Sequence, residues 1–261
     1  MSTRPPSKTA EPTSRPPLGD RAALAYNWLP RVGSVLDLGC ADGYVTAYLR
    51  NRAAKIVGFD LNFTDVRAAK GKVGGTHFVV GIAEALPFAS ASFDAVLMLD
   101  VLEHVGNDSH SIDEIVRVMR TDGYLILSTP HKGLFGFLDP ENFFLRGKSG
   151  TPRPRHRHYS VTDYKMLFGD RLTVTRTHRG GLLVFPLVMI ARKIVHRLMA
   201  RGWRIPLIVR DVIERTVNVS YKINYGRLGF NVMVLARKLS ANAASVGVPR
   251  PTSRALGSPQ P

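Results

Sequence analysis

The sequence predicts an α/β fold in which helices cover both faces of a doubly wound, mostly parallel sheet. Two observations predict it. Short apolar stretches alternate with helical stretches along the chain, and a glycine-containing turn follows the first apolar stretch. A chain of 261 residues, 44% of them apolar, is long enough for one such domain and an accessory segment.

The individual elements follow from the spacing of apolar residues. Buried strands are predicted at 34–38, 55–59, 76–80, 95–99 and 124–128. Helices are predicted between them at 43–51, 64–70 and 111–119. A last strand pair is predicted at 217–223 and 230–236. The ends, 1–19 and 241–261, are rich in Pro, Ser, Thr and Ala and are predicted to be disordered tails around a domain at 20–240.

The positive charge lies in the second half of the chain. Residues 1–145 carry 14 Lys and Arg against 16 Asp and Glu, whereas residues 146–240 carry 20 against 4. A block of that sign attracts phosphates on nucleic acid, on lipid headgroups or on an anionic substrate. The charge alone does not distinguish these partners.

The cysteine count and the apolar runs indicate a compartment. The single cysteine, Cys40, cannot close an intramolecular disulfide and excludes a zinc module with several cysteines, which indicates a reducing environment. The N-terminal residues have no apolar run typical of a signal peptide, and no apolar stretch reaches the roughly 20 residues that span a bilayer. The sequence therefore predicts a cytoplasmic protein.

The turn after the first predicted strand carries carboxylates as well as glycines. Gly39 and Gly43 allow a sharp turn close to a ligand, and Asp37 and Asp42 would repel a pyrophosphate but suit a cationic ligand. Asp60 closes the second strand, where its carboxylate can accept hydrogen bonds from both hydroxyls of a ribose. A nucleotide-type site for a cationic ligand is predicted.

These motifs resemble the class I S-adenosylmethionine-dependent methyltransferases, whose glycine-rich loop reads DxGxGxG. The resemblance covers about residues 30–175. It includes the loop with Asp37, Gly39 and Gly43, then Asp60, the stretch 83–88 before 92–94, and the stretch 100–105 after the fourth strand. It implies a Rossmann-like sheet of seven strands and S-adenosylmethionine as the cofactor.

The resemblance also implies which residues bind the cofactor. The loop would hold the methionine part, the acid after the second strand the ribose, and the segment after the third strand the adenine. The expected cofactor-binding residues are Asp37, Gly39, Cys40, Ala41, Gly43, Asp60, Leu61, Ile82, Ala83, Glu84 and Asp100. Two positions depart from the family pattern. Ala41 replaces the middle glycine, and Ile82 replaces a usual acid, which leaves the adenine amino group to backbone groups or Glu84.

Methyl transfer to a hydroxyl requires a base near the carboxyl ends of the fourth and fifth strands, where His104 and His131 lie in the sequence. The i, i+3, i+4 spacing of Asp100, Glu103 and His104 would place them on one helix face, where they could bind a divalent cation such as Mg²⁺. The pattern is similar to that of ubiquinone-biosynthesis O-methyltransferases and small-RNA 2′-O-methyltransferases. His104 as a metal-free base or substrate ligand, and a purely structural pair, are the alternatives; His131 is either catalytic or a loop residue.

Three segments of the second half bear on the acceptor. The aromatic stretch 133–144 is either a lid over an apolar acceptor or extra core, and the basic stretch 153–160 is either an anion clamp or a solvated face. Residues 187–204, within an insertion at about 183–215, are predicted to form a basic amphipathic helix. That helix either contacts an anionic membrane surface or packs on the core.

These features favour an O-methyltransferase that acts on a small-molecule, lipid-linked or membrane-associated acceptor, such as a prenylated quinone precursor. It would be peripheral on the inner face of the membrane. An RNA methyltransferase is an alternative, less favoured because aromatic and basic residues are segregated rather than interleaved. A non-catalytic homologue that binds the cofactor is the other alternative.

Overall fold

The computed structural model describes residues 21–134, 157–181, 190–191, 194–195, 197–199, 201–203 and 206–240. Both predicted tails lie outside these residues, as do most of the aromatic stretch 133–144, the residues 153–156 of the basic stretch, and Arg192 and Lys193 of the amphipathic helix. The predictions made for those segments stay predictions.

Seven strands form one sheet, as predicted. The strands are β1 Val32–Leu38, β2 Ala53–Asp60, β3 His77–Val80, β4 Phe93–Leu99, β5 Met119–Pro130, β6 Leu172–Gly180 and β7 Asn231–Lys238. Their order across the sheet is β3-β2-β1-β4-β5-β7-β6. The pairs among the first five strands are parallel, and β7 runs antiparallel to both β5 and β6. The doubly wound, mostly parallel sheet is therefore confirmed.

Helices flank this sheet: α1 Arg21–Trp28, α2 Tyr44–Leu49, α3 Phe63–Lys72, α4 Asp108–Val118, α5 Val161–Phe168 and α6 Leu207–Lys222. The packing of α4 follows the periodicity of its sequence. Ile112, Ile115 and Val118 recur at helical spacing, have no exposed surface and belong to the largest apolar cluster. The centre of the sheet is buried on both faces, since all side chains of β7 up to Ala236 are buried.

The predicted strand at 217–223 is wrong, because those residues belong to α6 up to Lys222. The antiparallel partner of β7 is β6 instead. The branched and aromatic residues of this stretch favour a strand by propensity. In the structure, however, hydrogen bonds from β6 and the residue after it satisfy carbonyl groups at the end of a helix. The Gly181 N–H donates to Ser220 O at 2.9 Å, and His178 Nε2 donates to Tyr221 O at 2.8 Å. The insertion predicted at about 183–215 thus continues as helix to Lys222.

The strand directions bring several loops to one edge of the sheet. The parallel strands β1 to β5 all end at this edge. Pro130 at the end of β5 and Gly180 at the end of β6 both pair with Asn231, the first residue of β7. The insertion between β6 and β7 therefore leaves the domain at the edge where the loops after β1, β2 and β4 meet. Among the described residues, no helix is long and apolar enough to cross a membrane.

Candidate active site

A cavity of about 880 Å³ opens at the carboxyl edge of the sheet, between the loops that follow β1, β2, β3 and β4. Every predicted cofactor-binding residue except Gly43 lines it. His104 also lines it, and its side chain is exposed there. The volume lies within the range of about 300 to 1,000 Å³ that is usual for small-molecule sites.

The turn after β1 depends on residues with left-handed backbone. Gly39 has φ +83°, and a Cβ on this residue would overlap the side chain of Val101 in the loop after β4. The N–H groups of Gly39 and Cys40 both donate to Phe59 O, at 2.7 and 3.1 Å. The turn is therefore pressed between β2 and the loop after β4, and only glycine fits at position 39.

The other two positions of the turn, Ala41 and Gly43, also have left-handed backbone. Ala41 has φ +44°, so the alanine that replaces the middle glycine sits in the left-handed region at a cost of about 1 to 2 kcal/mol. Gly43 has φ +83° and precedes α2, and a Cβ there would lie 3.0 and 3.1 Å from Val73 and Ala69. Gly43 therefore shapes the turn rather than lining the cavity.

Asp60 joins the turn after β1 to the start of α3. Its Oδ2 accepts from Ala41 N and its Oδ1 from Asn62 N, both at 2.8 Å. Each carboxylate oxygen keeps further acceptor capacity, because an ionised carboxylate offers about four lone-pair sites. Asp60 can thus hold the loop and accept from two ligand hydroxyls together.

Asp37 forms the floor of the cavity and is only 3% exposed. Burial raises the pKa of this carboxyl to about 6, and the negative charge of Asp60 adds to the rise. The Thr46 hydroxyl, which donates to Oδ2 at 2.5 Å, lowers the pKa and partly offsets the effect of burial. The residue is a buried acid that is still largely ionised at neutral pH. Such an arrangement costs stability and is typical of functional sites.

Asp100 follows β4 with φ +54° and is held from three directions. Its Oδ1 accepts from Ser128 Oγ at 2.8 Å and from Asn231 Nδ2 at 3.1 Å. Its Oδ2 forms an ion pair with Arg21 Nε of α1 at 2.8 Å. Sequence reasoning missed Arg21, Ser128 and Asn231, because no local pattern links residues so far apart in the chain.

Glu84 clamps two loops that line the cavity. Its Oε1 accepts from Gly106 N at 2.7 Å and from Asn107 N at 3.2 Å, which ties the segment after β3 to the loop after β4. Ile82, where the family usually has an acid, lines the cavity and is 49% exposed. The adenine side of the predicted site is thus formed by an apolar side chain and a carboxylate engaged with the backbone.

The predicted metal site does not fit the structure. Residues 101–106 form turns rather than a helix, so the i, i+3, i+4 argument fails. The Asp100 carboxylate is already held as described, and Glu103 is buried and absent from the cavity wall. Among the residues with described positions, no group of three His, Cys, Asp or Glu could hold a metal ion. We assign no step to a divalent cation.

The two candidate bases lie in different places. His104 is exposed on the cavity wall. Its backbone N–H donates to Val101 O at 2.9 Å and closes a turn. His131 is 4% exposed, bonds Gly229 O through Nδ1 at 2.9 Å, and does not line the cavity. Burial lowers the pKa of His131. The structure therefore brings only His104 to the cavity, and His131 joins the ends of β5 and β7.

The charge of the cavity suits a cation. Among the described residues, the cavity wall contains one guanidinium, that of Arg21, and six carboxylates. The carboxylates are Asp37, Asp42, Asp60, Asp65, Glu84 and Asp100. Negative charge in a concave site attracts positively charged ligands. This acidic wall lies in a chain whose formal net charge is +16.

Comparison with known proteins agrees with this geometry. Residues 36–127 match the family model described as a methyltransferase domain. The resemblance to class I S-adenosylmethionine-dependent methyltransferases that was found in the sequence is thereby confirmed. A solved S-adenosylmethionine-dependent methyltransferase from Methanosarcina mazei superposes with a TM-score of 0.54 at 19% identity, over 83% of this chain and 97% of that chain.

Curated relatives match in part of their length. A ubiquinone biosynthesis O-methyltransferase from Dechloromonas aromatica is 30% identical over 139 residues, 48% of this chain and 60% of the relative. A phthiotriol/phenolphthiotriol dimycocerosates methyltransferase from Mycobacterium ulcerans is 35% identical over 96 residues, 35% of each chain. The chain spans between 35% and 65% of the length of curated relatives such as these.

We expect Asp37→Asn to stabilise the protein at pH 7 by about 1 to 3 kcal/mol, because the wild-type charge is buried at a cost. The native pKa of about 6 lies above the ordinary 3.8, so the folded state binds more protons between these values and its stability falls as pH rises through them. Denaturant unfolding at pH 4 and pH 7 measures this. The gain should vanish near pH 4.

The exposed Asp170→Asn is the control for the change of charge. An equal gain for Asp37→Asn at both pH values would mean that relief of the buried charge is not its source.

Proposed function

We propose that this protein transfers a methyl group from S-adenosylmethionine to an oxygen atom of a lipid-linked or membrane-associated small acceptor. The observation that carries the proposal is the acidic cavity at the carboxyl edge of the sheet, with His104 exposed on its wall. The relative named for ubiquinone biosynthesis supports an acceptor of the prenylated quinone class. A peripheral position on the inner face of the membrane is part of the proposal.

The residues present fit this cofactor. Six carboxylates around the cavity suit a ligand that carries a sulfonium and an ammonium. Asp60 would hold the ribose, since its oxygens keep acceptor capacity beyond the bonds to Ala41 and Asn62. Ile82 and Ala83 would contact the adenine from the segment after β3. S-adenosylmethionine supplies an activated methyl group when it is bound.

The role left to the chain is to orient the acceptor and to remove its proton. His104 would accept the hydroxyl proton while the acceptor oxygen forms its bond to the methyl carbon and the carbon–sulfur bond breaks. The proton would then reside on the imidazole of His104, with the electron pair of the broken carbon–sulfur bond left on the sulfur of the cofactor. Close placement of the two reactants supplies the rest of the acceleration, because in-line transfer needs only alignment.

The class of acceptor is tested by incubation of the purified protein with radiolabelled cofactor and, separately, with membranes, soluble extract and total RNA. We expect label to appear in the organic-solvent extract of the membrane fraction. Label in RNA would favour the RNA methyltransferase alternative. Label in none of the fractions would contradict methyl transfer altogether.

We expect Asp60→Ala to weaken binding of S-adenosylmethionine at least about tenfold, because two charge-assisted bonds to the ribose, each worth about 1.5 to 3 kcal/mol, are lost. Loss of the bond to Ala41 N adds to the effect. Isothermal titration calorimetry measures the affinity. Asp65→Ala, which removes another carboxylate of the same cavity, is the control. An unchanged dissociation constant in Asp60→Ala with native circular dichroism would show that Asp60 does not bind the ribose.

We expect His104→Ala to lower turnover of the labelled acceptor by about 100-fold or more, since general-base catalysis contributes at least that much. Affinity for the cofactor should stay within about twofold of the wild-type value, because His104 makes none of the predicted cofactor contacts. His110→Ala, an exposed histidine of α4 outside the cavity, is the control. Full turnover in His104→Ala would refute the base.

A further inference from the structure

The insertion between β6 and β7 exposes apolar side chains far from the point where it is anchored. Of the described side chains of α6, only Ser220 and Tyr221 are buried, and both lie near the carboxyl end that is bonded to β6. Ile208 lies 13 residues before Tyr221, about 20 Å away along the helix axis. Side chains described at the amino end of α6 are therefore exposed at some distance from the anchored end.

We call the exposed residues just before and at the amino end of α6 the insertion tip. They are Arg197, Met199, Arg201, Trp203, Ile208 and Val212. The helical segment before it ends at a turn, where Gly202 has φ +86° and Trp203 N donates to Leu198 O at 3.0 Å. Trp203 is 65% exposed, Ile208 71% and Val212 58%. Large apolar side chains grouped at a surface mark an interaction site.

The charge of the insertion tip selects the kind of partner. Residues 181–210 contain six Lys and Arg and no Asp or Glu. Arg197 and Arg201, which belong to the tip itself, are exposed. Exposed Trp, Ile and Val beside arginines complement a surface that offers anionic groups with an apolar layer beneath them. A bilayer with anionic headgroups has this chemistry.

The position of the insertion in the fold relates the tip to the cavity. The insertion leaves β6 at Gly180 and rejoins the sheet at Asn231, which pair with each other. Asn231 Nδ2 donates to Asp100 on the cavity wall at 3.1 Å. The root of the insertion thus lies at the edge of the sheet on which the cavity opens.

We infer that the insertion tip docks this protein on an anionic lipid bilayer. Trp203, Ile208 and Val212 enter the boundary between headgroups and acyl chains, and Arg197 and Arg201 contact the headgroup phosphates. The inference names a surface for the membrane association in the proposed function and rests on that function only for the identity of the acceptor. The proposed docking surface includes described residues of α6 as well as of the stretch 187–204.

Flotation of the full chain with phosphatidylcholine vesicles, with and without phosphatidylglycerol, tests the inference. We expect binding only to the anionic vesicles and weaker binding as salt rises. Arg197→Glu with Arg201→Glu should weaken vesicle binding by about tenfold or more. The control is Arg67→Glu with Lys70→Glu, two exposed cations of α3 that give the same change of net charge, and it should keep most of the binding. Equal binding by the tip variant and the wild type would overturn the inference.

A second measurement reads insertion directly. Vesicles that contain brominated lipid should quench the fluorescence of Trp203, one of two tryptophans in the chain. Trp28 packs against the core. The variant Trp203→Phe should still bind vesicles and should lose the quenching, whereas Trp28→Phe should retain it. Quenching that persists in Trp203→Phe would place the contact elsewhere and overturn the inference.

Two further readouts separate the possible failures. Cofactor affinity, measured on the same samples, should be unchanged in the tip variants, which also shows that they fold. If the wild type binds vesicles but does not bind the cofactor, the proposed function is contradicted and the docking surface is retained. A third outcome is that the wild type is a dimer, the double variant Trp203→Ser with Ile208→Ser is a monomer, and neither of these two proteins binds vesicles. The tip would then be a contact between copies of this chain, and the inference would be overturned.

Discussion

The shape of the cavity depends on the backbone of the turn after β1, which packs directly against the side chain of Val101 in the loop after β4. At Gly39 any Cβ would overlap Val101, and the same residue donates its N–H to Phe59 O at the end of β2. One position therefore joins the ends of three strands. The acidic groups on the cavity wall owe their places to this contact, since Asp37 precedes the turn and Asp60 reaches back to Ala41 N.

The cavity wall and the insertion carry charges of opposite sign. The cavity wall is acidic and includes Asp37, whose burial raises its pKa to about 6 and costs the fold stability. The insertion is basic, with six cations and no acid between 181 and 210. One small domain can carry an acidic cavity and a basic insertion because a Debye length of about 8 to 10 Å screens exposed charges that lie further apart than this.

Local patterns predicted most of the sheet and the cofactor side of the site. The five parallel strands and the glycine turn are encoded by short stretches of adjacent residues and are found at the predicted places. Asp60 lines the cavity, and its contact with a ribose stays a prediction. What failed depends on partners distant in sequence. The stretch 217–222 reads as a strand by propensity but ends a helix whose carbonyls bond to β6. Asp100 begins a turn rather than a helix, with Ser128 and Asn231 as its partners.

Asp100 on the cavity wall is held by residues that all lie outside the segment matched by the methyltransferase model. Three elements supply its partners: Arg21 from α1, Ser128 from β5 and Asn231 from β7. The model matches 36–127, whereas the sheet continues to Lys238. The cavity wall therefore depends on contacts from elements before and after the matched segment. Because Asn231 begins the strand that follows the insertion, one of these contacts comes from the chain that rejoins the sheet there.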